Sequence, residues 1–184
     1  MADLIVPFID PGNRILDIGC GAGKLGEAVL DHHNCPLGII YLGLEKARRG
    51  DEFIKVIQHQ EGPLPFEDKE FDLVILADVL HHEENEEQLL NEAIRVAKRF
   101  VVIKEHKPEG FLGFFRICVM DWAANRPFPV KLLHRYHTLP EWYEIFKKTN
   151  LIPVQEKVSI DLYPHFYNRI FGKRLHYFVV LKRG

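Results

Sequence analysis

Cysteine, methionine and tryptophan are scarce in this chain, at three, two and two residues. The three cysteines (Cys20, Cys35, Cys118) form no CxxC pair and are odd in number, so neither a disulfide framework nor a structural metal site is expected. Reduced thiols in a cytoplasmic protein are the simple expectation. An excess of either charge is missing too: 24 Lys+Arg stand against 26 Asp+Glu, a net charge of −2. A binder of phosphate backbones carries a basic excess or stripe, so nucleic acid is not an expected partner. Arg48-Arg49 and the scattered Lys147, Lys148 and Lys157 read as solvated surface. No apolar run approaches the roughly 18 residues of a membrane span, which speaks against stable membrane insertion. The apolar stretch 4–9 lacks the basic flank of a secretory leader. Repeats, low-complexity tracts and Pro/Gly/Ser linkers are absent, and 184 residues suit a single domain over 1–184.

What the chain does have is short strand-like runs alternating with helix-like segments, the pattern of an α/β sheet. Strands are expected at 14–18, 38–44, 53–58, 71–77 and 100–103. The fourth is wholly apolar at its centre and therefore buried. Helices are expected at 24–33, 86–98 and 139–148. The second of these carries Leu89, Leu90, Ala93, Ile94 and Ala97 at helical spacing. Two last strands, 154–158 and 177–181, would form an antiparallel hairpin. The expected fold is thus a Rossmann-like, doubly wound, mostly parallel seven-stranded sheet with a C-terminal antiparallel hairpin. Segment 107–138 stands apart as an insertion between strands. Its part 110–125 is apolar nearly all round, which in a helix implies burial on more than one side, as core or as a lid over an acceptor.

The segment Asp17-Ile18-Gly19-Cys20-Gly21-Ala22-Gly23 ends the first strand and opens the first of those helices. A ligand lies against backbone only where no Cβ intervenes, and the helix start behind the turn offers unpaired N–H groups. Gly21, Gly23 and Gly26 also satisfy the dinucleotide pattern G-x-G-x-x-G, and Glu45 lies 22 residues past Gly23, where a carboxylate takes ribose hydroxyls in either cofactor class. A nicotinamide-dependent oxidoreductase therefore stays open at this point. Asp17 tips the balance, because its carboxylate suits the ammonium of a methionine moiety and repels a pyrophosphate.

Further on come Leu64-Pro65-Phe66-Glu67-Asp68-Lys69-Glu70-Phe71-Asp72-Leu73-Val74 and Val79-Leu80-His81-His82. With these in place the chain resembles the type 11 class I methyltransferases, whose motifs D-x-G-C-G-x-G, L-P-F-x-D-x-x-F-D-x-V and V-L-H-H occur here in that order. Ile103-Lys104-Glu105-His106, Met120-Asp121-Trp122 with Asn125, and Leu162-Tyr163-Pro164 extend the likeness over about residues 14–182.

The resemblance implies S-adenosyl-L-methionine as cofactor and a small-molecule methyl acceptor, apolar or aromatic among the options. It places Asp17, Gly19, Cys20, Gly21 and Gly23 against the cofactor, with Glu45 on the ribose. Glu61, beside Gly62, takes the adenine amino group, with Gln60 as fallback. Asp78 and Leu80 line the cleft at the carboxyl edge of the sheet. Phe66 is better explained by packing than as a wall for the adenine. The N-terminal helices common in that superfamily are nearly missing before Arg14.

A sulfonium is already activated, so alignment of the acceptor suffices; an acidic acceptor would also need a base, for which His82 and His106 are the candidates. Asp121, Asn125 and Tyr136 would orient the acceptor. No metal is expected, because His81, His82 and Glu84 lack a third ligand at characteristic spacing. A non-catalytic S-adenosylmethionine-binding or partner-binding module is the remaining alternative. An Asp/Asn-Pro-Pro-Tyr motif, which would indicate amine methylation of nucleic acid or protein, does not follow the fourth strand. Oligomeric state is not legible.

Overall fold

A computed structural model describes residues 1–60, 62–128, 131–162, 167–168, 171–172 and 174–184. Strand β1 (Arg14–Ile18) leads through the glycine turn into helix α2 (Lys24–Leu30); a short helix α1 (Ala2–Ile5) comes before it. Strands β2 (Ile40–Glu45), β3 (Lys55–Gln58) and β4 (Phe71–Ala77) follow, then helix α3 (Glu86–Val96) and strand β5 (Ala97–His106). Helices α4 (Gly113–Asn125) and α5 (Leu139–Lys148) precede strands β6 (Leu151–Lys157) and β7 (His176–Arg183).

The seven strands make one sheet in the order β3-β2-β1-β4-β5-β7-β6. β1 pairs in parallel with β2 on one side and β4 on the other, and β2 with β3, while β6 and β7 are antiparallel. This is the expected doubly wound sheet with its hairpin. β4 shows why it is central: Phe71, Leu73, Val74, Ile75 and Leu76 are all fully buried, so both faces of the strand are covered. The β6–β7 register slips between Pro153 and Gln155, where proline has no N–H to give to the ladder.

By internal contacts the chain gathers into two compact units, Met1–Ala77 with Leu90–Val102, and Asp78–Leu89 with Ile103–Gly184. The first holds the parallel strands β1 to β4; the second holds the antiparallel hairpin and helices α4 and α5.

Several boundaries move from those expected. α2 stops at Leu30 with Asp31 as its C-cap, so His32 and His33 lie beyond it, stacked on each other with ring centroids 4.5 Å apart. α3 ends at Val96, and 97–98 already belong to β5; Ala97 fits the inner face of either element, and strand pairing decides. The larger correction concerns α4. Of its residues only Gly113, Ile117 and Asp121 are buried, one narrow stripe at i, i+4, i+8, whereas Phe114, Phe115 and Trp122 are exposed and Phe111, just before it, is 87% exposed. An all-round apolar sequence did not bring all-round burial. α5 behaves as its pattern demands: Thr138 donates its backbone N–H to Glu141 at 2.7 Å in a capping box, and Trp142 and Phe146 are buried one turn apart.

Candidate functional site

In the first unit the connection leaves β1 for β2 on one side and later returns to β4 on the other. The turn after β1 therefore sits at the reversal of strand order, where open α/β sheets bind ligands. Gly19, Gly21 and Gly23 have φ of 70°, 58° and 81°, the left-handed region that glycine adopts cheaply. At Gly23 a Cβ would also lie 2.3 Å from Ile54 Cγ1. Gly19 N–H donates to Leu44 O at 2.8 Å, and Gly21 N–H donates to Glu45 Oε2 at 2.8 Å. Glu45 Oε1 accepts from Lys46 N–H at 2.9 Å. The carboxylate expected to grip the ribose is thus fastened to the glycine turn itself. Each of its oxygens can accept a second bond.

Asp17 is 1% exposed and accepts from the Tyr41 hydroxyl at 3.0 Å. Burial, helped by the negative charge of Glu45 and opposed by the Tyr41 hydrogen bond, raises its pKa to about 7. The Arg49 guanidinium also lies against the turn, its carbon 3.1 Å from where a Gly21 Cβ would sit, so two carboxylates face one cation, a balance that still favours a cationic ligand over a pyrophosphate. Burial and the same two carboxylates push the Cys20 thiol up to about 12, so it is not a nucleophile. Gln60 donates to Lys46 O at 2.9 Å, and Gly62 adopts φ 118°. Glu61 lies outside the described residues. Phe66 packs edge-on against Phe71 with centroids 4.9 Å apart, as a core residue does.

The second unit carries a polar cluster built from the end of β5, the turn 78–82 and α4. Asp78 has φ 54°, and its N–H donates to Lys104 O at 2.8 Å while its carboxylate pairs with the Lys104 ammonium. Burial pushes the Asp78 pKa up, but Lys104, His106 and His81 more than offset it and hold it well below the usual range. Glu105 is buried and fully engaged: Oε1 accepts from Val79 N–H at 3.0 Å and Leu80 N–H at 2.8 Å, and Oε2 holds His81 Nδ1. Burial disfavours a charged His81, yet Glu105 and Asp121 carry its pKa up to about 10.

Asp121, Asn125 and Tyr136, expected together, are together. Asn125 Nδ2 donates to Asp121 Oδ1 and the Tyr136 hydroxyl to Asp121 Oδ2, each at 2.7 Å. Of the two candidate bases, His106 is buried, and that burial drives its pKa down to about 3. His82 is lowered as well, chiefly by desolvation, and its Nδ1 donates to Lys131 O at 3.1 Å. Leu80 is a buried apolar residue of the turn.

The family described as "Methionine biosynthesis protein MetW" matches residues 2–119, well over half of the chain. The chain belongs to the MetW family. Among curated relatives, the bifunctional methionine biosynthesis protein MetXA/MetW of Rhodopirellula baltica is 35% identical over 112 residues, covering 53% of this chain and 18% of that one. The matched segments span between 18% and 49% of these curated relatives' own lengths.

Among solved structures, the YcgJ protein of Bacillus subtilis aligns at TM-score 0.66 and 17% identity, over 100% of this chain and 98% of that one. The magnesium protoporphyrin IX methyltransferase of Synechocystis PCC 6803, solved with bound S-adenosylhomocysteine, aligns at TM-score 0.63 and 16% identity, over 100% and 80%. The fold of this MetW family member is that of the class I S-adenosylmethionine-dependent methyltransferases.

The sequence left Tyr41 unnamed, and it named Lys104 and Glu105 only as part of a motif, without a role. The signal for the last two was present in the sequence: charged residues in unbroken succession at the end of an apolar strand are either surface or a built site, and here both are buried. Tyr41 left no signal, because an aromatic residue in a strand reads as packing.

Proposed function

We propose that this MetW family member binds S-adenosyl-L-methionine and transfers its methyl group to a small-molecule acceptor. The observation that carries the reading is the left-handed glycine turn at the sheet's switch point, fastened by the Gly21 N–H to the Glu45 carboxylate. The residues fit the cofactor's chemistry: Glu45 has acceptor capacity for ribose hydroxyls, and Asp17 is a buried carboxyl whose charge a neighbouring cation would favour. When bound, the cofactor supplies a methyl group on a positively charged sulfur. The left-handed turn at Gly19 and Gly21 presents its backbone to it, Gly23 makes room for Ile54 behind the turn, Glu45 orients the ribose and Asp17 balances the ammonium. Holding reacting atoms in line contributes about 7–11 kcal/mol, so for an acceptor that is already a nucleophile neither His82 nor His106 is required as a base. The near-balanced charge supports a small acceptor over nucleic acid.

A second reading has one specific support. The Rhodopirellula baltica relative is named as bifunctional, so a MetW-type portion there shares its chain with another activity. On that reading this chain is an S-adenosylmethionine-binding module working beside another protein, without turnover of its own. A nicotinamide oxidoreductase is disfavoured by the paired carboxylates and by the family.

The test is incubation of the purified chain with methyl-labelled S-adenosylmethionine and fractionated small molecules from cells. Label in a low-molecular-weight product, absent with Glu45→Ala, supports methyl transfer. Cofactor binding without label in any fraction supports the second reading and overturns the first.

A further inference from the structure

We propose that His81, His82 and Asp121 form a binding site for a divalent transition-metal ion of the zinc class. The sequence offered no third ligand within reach of the two histidines; the fold brings one from α4. His81 Nε2 lies 3.6 Å and His82 Nε2 3.4 Å from the same oxygen, Asp121 Oδ1. All three donor atoms fall within 4.8 Å of one another. Donors bound about 2.0–2.1 Å from a tetrahedral ion sit about 3.3–3.4 Å apart, close to the two histidine–aspartate distances.

A second, independent observation points to a ligand. His81 is 2% exposed, and its Nε2 has no hydrogen-bond partner among the described residues. The polar group it faces is Asp121 Oδ1 at 3.6 Å, an ion-pair contact in which a metal ion would take the place of the Nε2 proton.

The surroundings match what metal-bound histidines have around them. Each ligating histidine in a protein site hands its other ring nitrogen to a carboxylate or a backbone carbonyl, which fixes the tautomer and aims the lone pair at the ion. His81 Nδ1 is held by Glu105 Oε2, and His82 Nδ1 donates to Lys131 O at 3.1 Å. Tyr136 orients the Asp121 carboxylate through Oδ2, while the Asn125 amide donates to Oδ1 at 2.7 Å and lies 3.4 Å from His82 Nε2, so the ion would displace that single amide group from the two ligand atoms.

A second grouping, Asp78 with His81 and Glu105, is geometrically close but chemically occupied, since Glu105 is spent on two backbone N–H groups and His81. Two imidazoles and one carboxylate select zinc, cobalt or ferrous iron over magnesium or calcium, which prefer all-oxygen sets. His82 keeps 13% of its side chain exposed, which leaves the site a solvent-facing side for entry and for a fourth ligand.

The test uses the full chain, stripped with a chelator and dialysed, titrated with cobalt(II) while its visible d–d absorption is followed. The expected result is one equivalent bound per chain, displaced by zinc and not by magnesium. His82→Ala, at the partly exposed position, weakens binding by at least about ten-fold, and Glu105→Gln by about 10–100-fold. His33→Ala, a surface histidine, leaves binding unchanged. Far-UV circular dichroism checks each variant, and His82→Ala stays decisive if Glu105→Gln fails to fold. Absence of the cobalt spectrum, or binding that His82→Ala leaves intact or weakens no more than His33→Ala does, overturns the proposal. No S-adenosylmethionine is present, so failure here leaves the cofactor reading standing.

Discussion

Asp17 is a buried acid whose titration bears on the stability of the whole fold. Its carboxyl is desolvated, faces Glu45 and is held by Tyr41, and its pKa sits near 7 against an ordinary value of 3.8. A raised pKa means that the folded state holds the proton more tightly than the unfolded chain does. The resulting stability is fully present below about pH 4 and is lost as pH rises through about 7. Asp17→Asn keeps an acceptor for Tyr41 and removes the titration. Urea denaturation at about pH 5 and pH 8 should show wild type losing roughly 1–3 kcal/mol relative to Asp17→Asn over that interval. Parallel pH profiles for the two proteins would contradict the buried-carboxyl account. The sequence named Asp17 and its preference for a cation, but the hydroxyl that anchors it, Tyr41, comes from the neighbouring strand and depends on a β1–β2 register that no local pattern reveals.

Among the elements, α4 and α5 make the contrast that periodicity alone got half right. α5 has a clear apolar stripe and its capping box, and Trp142 lies 1% exposed with Phe146 stacked on it. α4 has no polar face to oppose an apolar one, so its sequence did not say which side turns inward. The structure buries the stripe through Ile117 and Asp121 and leaves Trp122 52% exposed. Truncation should separate the two: Trp142→Ala costs about 3–5 kcal/mol, and Trp122→Ala about 1 kcal/mol or less. Thermal melts of the two variants check this; equal losses would mean that α4 is covered where it is exposed here. The α3–β5 junction illustrates a different limit. Ala97 satisfies the inner face of a helix and of a strand alike, and only pairing in the sheet ends the helix at Val96.

Across the whole chain, the order of motifs made the sheet legible, since strand-turn-helix alternation and a glycine turn after the first strand leave few doubly wound topologies. The strands came out in the expected number, with the antiparallel pair at the C-terminal end. Among the described residues no helix is long and apolar enough to cross a membrane. The polar cluster was less legible, because its parts are far apart in sequence. His81 and His82 meet Asp121 only once the turn 78–82, β5 and α4 are folded on one another. Asp121, Asn125 and Tyr136 were named as a group, yet nothing in their spacing joined them to the two histidines.

Isothermal titration of the purified chain with S-adenosylmethionine and S-adenosylhomocysteine, beside Glu45→Ala, decides whether the glycine turn and its carboxylate hold the cofactor. Binding of one ligand per chain is expected for each compound. Glu45→Ala should weaken it at least about ten-fold, as removal of charged hydrogen bonds worth about 1.5–3 kcal/mol requires. No heat with either compound, or equal affinity in wild type and Glu45→Ala, would contradict it.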